Sequence, residues 1–130
     1  MTRRRNDAHS TEFGLWLREQ KAIASNLGYV ATNLDYIWSN YKTGEWMLIE
    51  EKRYNAEMTF AQKQQFKQLD DVCQICNDYN GFYLIVFENT SPSDGLITIN
   101  HEAVTECELL EFLRFDLKIN SYFSELLVSN

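Results

Sequence analysis

The stretch Leu34-Asp35-Tyr36-Ile37-Trp38, then Asn40-Tyr41-Lys42-Thr43-Gly44, then Glu45-Trp46-Met47-Leu48-Ile49-Glu50-Glu51-Lys52-Arg53-Tyr54, decides the fold. β-Branched and aromatic residues flank a tight loop whose Gly44 can supply a positive φ, so the pattern predicts strand, turn, strand. A turn centred near Lys42-Thr43 places Asp35 opposite Glu50, whereas a bulge at Gly44 would place it opposite Glu51. Residues directly opposite each other share a face, about 5 Å apart. Along the second strand Leu48, Glu50 and Lys52 point one way, and Met47, Ile49 and Glu51 the other.

Two carboxylates side by side repel, and a divalent ion such as Mg²⁺ or Mn²⁺ removes the conflict because it takes carboxylate oxygen. A lysine two residues on reaches the same place, where it can orient water or offset charge on a phosphate. Asp35, Glu50 and Lys52 are therefore the candidate kit for metal-assisted phosphodiester hydrolysis. The plainer alternative is a solvated, charged strand face with an ordinary cross-strand pair.

Outward from the hairpin the chain reads as one mixed domain. Apolar positions Phe13, Trp16, Leu17, Ile23, Ala24 and Leu27 recur at helical spacing, after Ser10 or Thr11 as N-cap and before Gly28. Tyr29 to Thr32 reads as a short extended stretch. Thr59 to about Tyr79 carries Phe60, Phe66, Leu69, Val72, Cys73 and Cys76, a second amphipathic helix broken by Asn80-Gly81. Phe82 to Phe87 is a continuous apolar run suited to a buried strand. A turn over residues 90–95 leads to a short strand, Leu96 to Ile99, and Glu106 to Leu117 forms a third helix. The expected order is α, β, β, β, α, β, β, α, with residues 1–10 as a flexible basic arm and 11–130 as one domain.

A chain of 130 residues supports one hydrophobic core, and 45% apolar with 14% aromatic residues suits a packed domain. No apolar run approaches a membrane span, and no apolar stretch follows the basic N-terminus, so the expectation is a soluble cytoplasmic protein. The net charge of −7 weighs against tight nonspecific nucleic-acid binding. The surplus is C-terminal, however: residues 1–77 hold ten basic and ten acidic side chains, residues 78–130 two and nine. Cys73, Cys76 and Cys107 are an odd number, which argues against a disulfide framework. The Cys73–Cys76 pair could be half a zinc site or a redox motif, but it reads more simply as two small core residues on a helix.

The motif Asn33-Leu34-Asp35 with Leu48-Ile49-Glu50-Glu51-Lys52 resembles the PD-(D/E)XK nuclease superfamily. That resemblance implies a restriction-endonuclease-like α/β domain, a mixed central sheet flanked by helices with an αβββαβ core. It puts Asp35 at the metal aspartate, Glu50 at the second acid and Lys52 at the lysine, with Leu34 where the superfamily's leading proline stands. The helix Thr59-Phe60-Ala61-Gln62-Lys63-Gln64-Gln65-Phe66-Lys67-Gln68-Leu69 is similar to that of the VRR-type and Holliday-junction-resolvase-like branches. On that likeness Gln62, followed by Phe66 and Leu69, joins the catalytic set; the alternative is a solvated glutamine-rich face.

A glutamate of the first helix completing the metal shell is implied too, Glu19 before Glu12. Arg3, Arg4, Arg5, Arg18 and Arg53 are candidate phosphate contacts. The implied cofactor is Mg²⁺ or Mn²⁺. The implied partner is DNA, whether branched, single-stranded or duplex, with a homodimer or a complex through the acidic surface left open and no membrane. The competing reading is a catalytically silent module of the same fold that binds nucleic acid or a protein.

Overall fold

The computed structural model describes residues 11–124. The basic arm over residues 1–10, with Arg3, Arg4 and Arg5, lies outside the described residues. The chain divides between Ala31 and Thr32 into two compact units, which are described in turn.

In the first unit the helix is shorter than its apolar spacing suggests. Thr11 caps α1, Glu12–Glu19, by accepting the backbone N–H of Gly14 at 3.0 Å. Gln20 turns extended, and 3₁₀ turns at Lys21–Ile23 and Ser25–Leu27 carry the chain to Gly28, whose φ of +106° closes the last of them. None of these segments has a buried residue, and a helix that buries nothing has little beyond propensity to prolong it. Residues 29–32 form no strand, so the expected three-strand meander has two.

The second unit is a five-stranded mixed sheet with two helices. β1 (Tyr36–Ser39) pairs antiparallel with β2 (Trp46–Lys52). α2 (Phe60–Cys73) crosses over to β3 (Tyr79–Phe87), which runs parallel to β2. β4 (Ile97–Ile99) and β5 (Glu102–Val104) add antiparallel strands, so spatial order follows chain order. Asn100 and His101, at φ +50° and +73°, make the two-residue turn between them. β5 and that turn escaped the sequence reading. α3 (Glu106–Leu113) starts at a Thr105–Glu108 capping box and ends four residues sooner than expected, with Phe115 at φ +66°.

Two cores lie on opposite faces of the sheet. Met47, Ile49, Tyr83, Ile85 and Phe87 pack with Leu109 and Phe112 of α3. Leu48, Phe82, Leu84 and Val86 pack on the other face with Met58, Phe66 of α2 and Phe123. The side of α2 that turns inward is Phe66 and Asp70, with Cys73 half-buried; Leu69, Val72, Ile75 and Cys76 are exposed. All three cysteines are free, and the expectation that Cys73 and Cys76 both fill the core fails at Cys76, which lies beyond the end of α2.

Asn80-Gly81, expected to break a helix, instead forms a bulge inside β3. Trp46 pairs with Tyr79 and Leu48 with Phe82, one residue extra on the β3 side. The C-terminal segment satisfies the displaced backbone. Phe82 N–H donates to Ser121 Oγ at 2.9 Å, and Tyr122 N–H donates to Phe82 O at 2.7 Å. Gly81 has φ +140°, and a Cβ there would lie 2.6 Å from Ser121 Cβ. Gly81→Ala should therefore lower unfolding free energy by about 2 kcal/mol or more. Urea unfolding measures it, and an unchanged midpoint would show that the Ser121 segment does not hold this bulge.

Candidate active site

The hairpin register fixes the geometry. Tyr36 lies opposite Ile49 and Ser39 opposite Trp46, with no shift between them, so the pairing carried one residue outward sets Asp35 opposite Glu50. Turn chemistry explains the register. Asn40 Oδ1 accepts the N–H groups of Lys42 and Thr43, at 2.8 and 3.3 Å, and Gly44 adopts φ +88°. Asp35 Oδ2 accepts the backbone N–H of Glu51 at 2.8 Å, which pins the carboxylate to the neighbouring strand.

Glu50 points to the α2 side, between the apolar Leu48 and the half-buried Lys52, and is only 3% exposed. Its Oε2 faces Lys52 Nζ at 3.7 Å and accepts from Gln62 Nε2 at 3.4 Å. Its Oε1 is buried with no hydrogen-bond partner. Burial, and then the charge of Asp35, push the Glu50 carboxyl up to about 7; Lys52 and the Asp35 backbone N–H pull it the other way without prevailing.

Gln62 joins this cluster because of how α2 begins. Thr59 and Gln62 form a capping box: Gln62 N–H donates to Thr59 Oγ1 at 3.1 Å, and Thr59 N–H donates to Gln62 Oε1 at 3.0 Å. The same Oε1 accepts from Lys52 Nζ at 3.1 Å. One amide thus caps the helix, holds the ammonium and reaches the buried carboxylate.

Of the residues singled out in the sequence, Asp35, Glu50, Lys52 and Gln62 come together. Glu51 and Arg53 do not join them. Glu51 lies on the other face of β2, and Arg53, just past the strand's end, donates from Nε to Glu51 Oε2 at 3.0 Å. Glu12, Arg18 and Glu19 are exposed residues of α1, in the first unit. Among the described residues no group of three or more His, Cys, Asp or Glu side chains is placed to hold a metal ion; the cluster offers two carboxylates.

A second polar cluster was missed. Asp70 is 3% exposed, and its Oδ1 accepts from Tyr79 Oη at 2.5 Å and Ser121 Oγ at 3.4 Å, with Gln74 Nε2 at 3.3 Å. It ties α2 to β3 and the C-terminal segment, and it holds the Tyr79 phenol far above its ordinary range together with burial, the larger cause. The available signal was an aspartate four residues after Phe66, on the inward side of the helix.

Compared with protein-family models, curated proteins and solved structures, the chain matches none.

The raised Glu50 carboxyl has a consequence for stability. Its folded value lies above its ordinary 4.5, so the folded state keeps a proton that the unfolded chain releases. Metal-free protein should therefore lose stability as pH rises from 4.5 to about 7, by on the order of 2–3 kcal/mol. Urea unfolding in EDTA across that range should show the loss, and Glu50→Gln should flatten it. An equally steep fall in Glu50→Gln would place its origin elsewhere.

Proposed function

We propose that this chain is a divalent-metal-dependent nuclease of PD-(D/E)XK-like fold, hydrolysing DNA phosphodiester bonds at the Asp35–Glu50–Lys52–Gln62 cluster. The observation that carries this reading is Glu50 Oε1, a buried carboxylate oxygen with no partner next to a second carboxylate. That arrangement is costly as it stands, and a cation would relieve both the desolvation and the repulsion. The order hairpin, helix, parallel strand supports the fold part of the reading.

Asp35 and Glu50 would hold Mg²⁺ or Mn²⁺, which binds through one or two carboxylates and keeps waters and substrate phosphate as its other ligands. Bound there, the ion would supply positive charge to the scissile phosphate and make a water more acidic.

The chain's own residues do the rest. Asp35 is oriented by the Glu51 N–H, so its carboxylate stays on the site without a long side chain to order. Lys52, restrained by Gln62, presents an ammonium whose value is greatest when negative charge accumulates in the transition state. Gln62 keeps that ammonium from collapsing fully onto Glu50: the Lys52–Gln62 bond is 3.1 Å, the Lys52–Glu50 separation 3.7 Å.

The excess of nine acidic over two basic residues in 78–130 favours a second reading, a silent module of this fold that binds a basic partner.

The test is cleavage of linear, nicked and branched DNA with Mn²⁺. Asp35→Ala and Glu50→Ala should each abolish cleavage while the protein stays folded. Lys52→Ala should lower turnover by about 10²-fold or more, with substrate binding much less affected. Lys52→Arg should restore little, since a planar guanidinium does not fit the ammonium's place between Gln62 Oε1 and Glu50 Oε2. Full activity in Asp35→Ala, or wild-type protein that cleaves none of the DNAs, would overturn the nuclease reading.

A further inference from the structure

The face of the sheet opposite Glu50 carries a groove of about 400 Å³ over the α3-side core. Ile49, Ile85 and Phe87 form its floor, Tyr36 and Trp38 of β1 stand along one side, and the Glu51–Arg53 pair lies at its rim. Apolar pockets with a few convergent polar groups are the usual form of a small-molecule site.

Both aromatic walls are anchored at their polar ends. Trp38 Nε1 donates to Leu113 O at 2.7 Å, and Tyr36 Oη donates to Glu51 Oε1 at 3.4 Å. The Glu51 charge, helped by burial and Asp35, raises the Tyr36 phenol above its ordinary value and keeps it a donor. Rings on an edge strand held in this way lose little freedom when a flat ligand lies against them.

The rim restricts the ligand further. The Glu51 side chain is 17% exposed and that of Arg53 59%. A carboxylate has about four acceptor positions, and Glu51 is seen to use two. Arg53 spends its Nε on Glu51, and its terminal guanidinium nitrogens carry four further donors. A purely aliphatic occupant would cover this carboxylate and leave its remaining lone pairs unmet, which is costly. A planar heterocycle with adjacent N–H donors on one edge would meet them, and an attached anion would meet Arg53. Among nucleobases, guanine presents two adjacent N–H donors, while cytosine presents no such pair.

We infer that this groove binds a guanine nucleotide unit, its base on Tyr36 and Trp38, its N–H edge on Glu51 and its phosphate on Arg53. The unit is either a free nucleotide or the end of a nucleic-acid strand. The site goes beyond the nuclease reading and requires no metal, so it is tested in EDTA, where failure of the Asp35–Glu50 reading has no bearing on the result.

The experiment is calorimetric titration of the full chain with guanosine 5′-monophosphate, cytidine 5′-monophosphate and inorganic phosphate. Short 5′-phosphorylated single strands beginning with G or C form a second arm. Guanosine monophosphate should bind about tenfold or more tighter than the cytidine nucleotide, the scale of one bidentate base contact. Glu51→Gln should erase that preference, and Arg53→Ala should weaken both nucleotides. Circular dichroism confirms that each variant is folded. Tighter binding of the G-strand assigns the site to strand ends and tighter binding of the mononucleotide assigns it to free nucleotide; both support the groove. No heat from either nucleotide, or a guanine preference that survives Glu51→Gln, overturns the inference. So does a dimer that Trp38→Glu dissociates, since a second copy would then fill the groove.

Discussion

An ionised carboxylate dislikes both burial and a second carboxylate beside it, and Glu50 meets both conditions because of how β2 is paired. The antiparallel register with β1 brings Asp35 across from it, and the parallel register with β3 sets Leu84 beside it. Sliding β2 by one residue against both neighbours would turn Glu50 to the α3 side and bring Glu51 to the α2 side, and sliding β1 alone would carry Asp35 away from Glu50. The chemistry of the site therefore depends on strand register, and register is guarded by features at some distance. The Asn40 turn guards one pairing, and the Gly81 bulge with its Ser121 lock accompanies the other.

The same constraint organises α2. A helix in this position must end its first turn near Lys52, and the capping box at Thr59 turns that necessity into a contact, since Gln62 Oε1 serves the helix and the ammonium together. At the far end Asp70 anchors the helix to Tyr79 and Ser121. Held at both ends, α2 covers Leu48 and Phe82 and keeps water from most of Glu50. The Asp70 cluster is thus a structural counterpart to the site: a buried carboxylate whose hydrogen bonds are made, where one oxygen of Glu50 has none.

Local signals carried most of what could be read in the sequence. The alternation through residues 46–52 and the length of the Asn40–Gly44 turn place Asp35, Glu50 and Lys52 on one face, and Glu51 with Arg53 on the other. Thr59 and Gln62 mark the start of α2 by the chemistry of capping. What could not be read depends on distant partners. The bulge at Asn80-Gly81 needs Ser121, and a local reading of Asn-Gly as a helix break is natural without it. The length of α1 depended on burial that its apolar residues do not obtain, and Tyr29–Thr32 forms no pairing despite its extended character. The apolar spacing of α2 misjudged its inner side by about one position, which hid Asp70.

The most direct measurement is Mn²⁺ binding by calorimetry at neutral pH, comparing the unmodified protein with Asp35→Asn, Glu50→Gln and Glu51→Gln. One site is expected, lost or weakened about tenfold or more in the first two variants and retained in the third, because Glu51 projects from the opposite face. Binding that is absent from the unmodified protein, or that survives Glu50→Gln and disappears in Glu51→Gln, would contradict it.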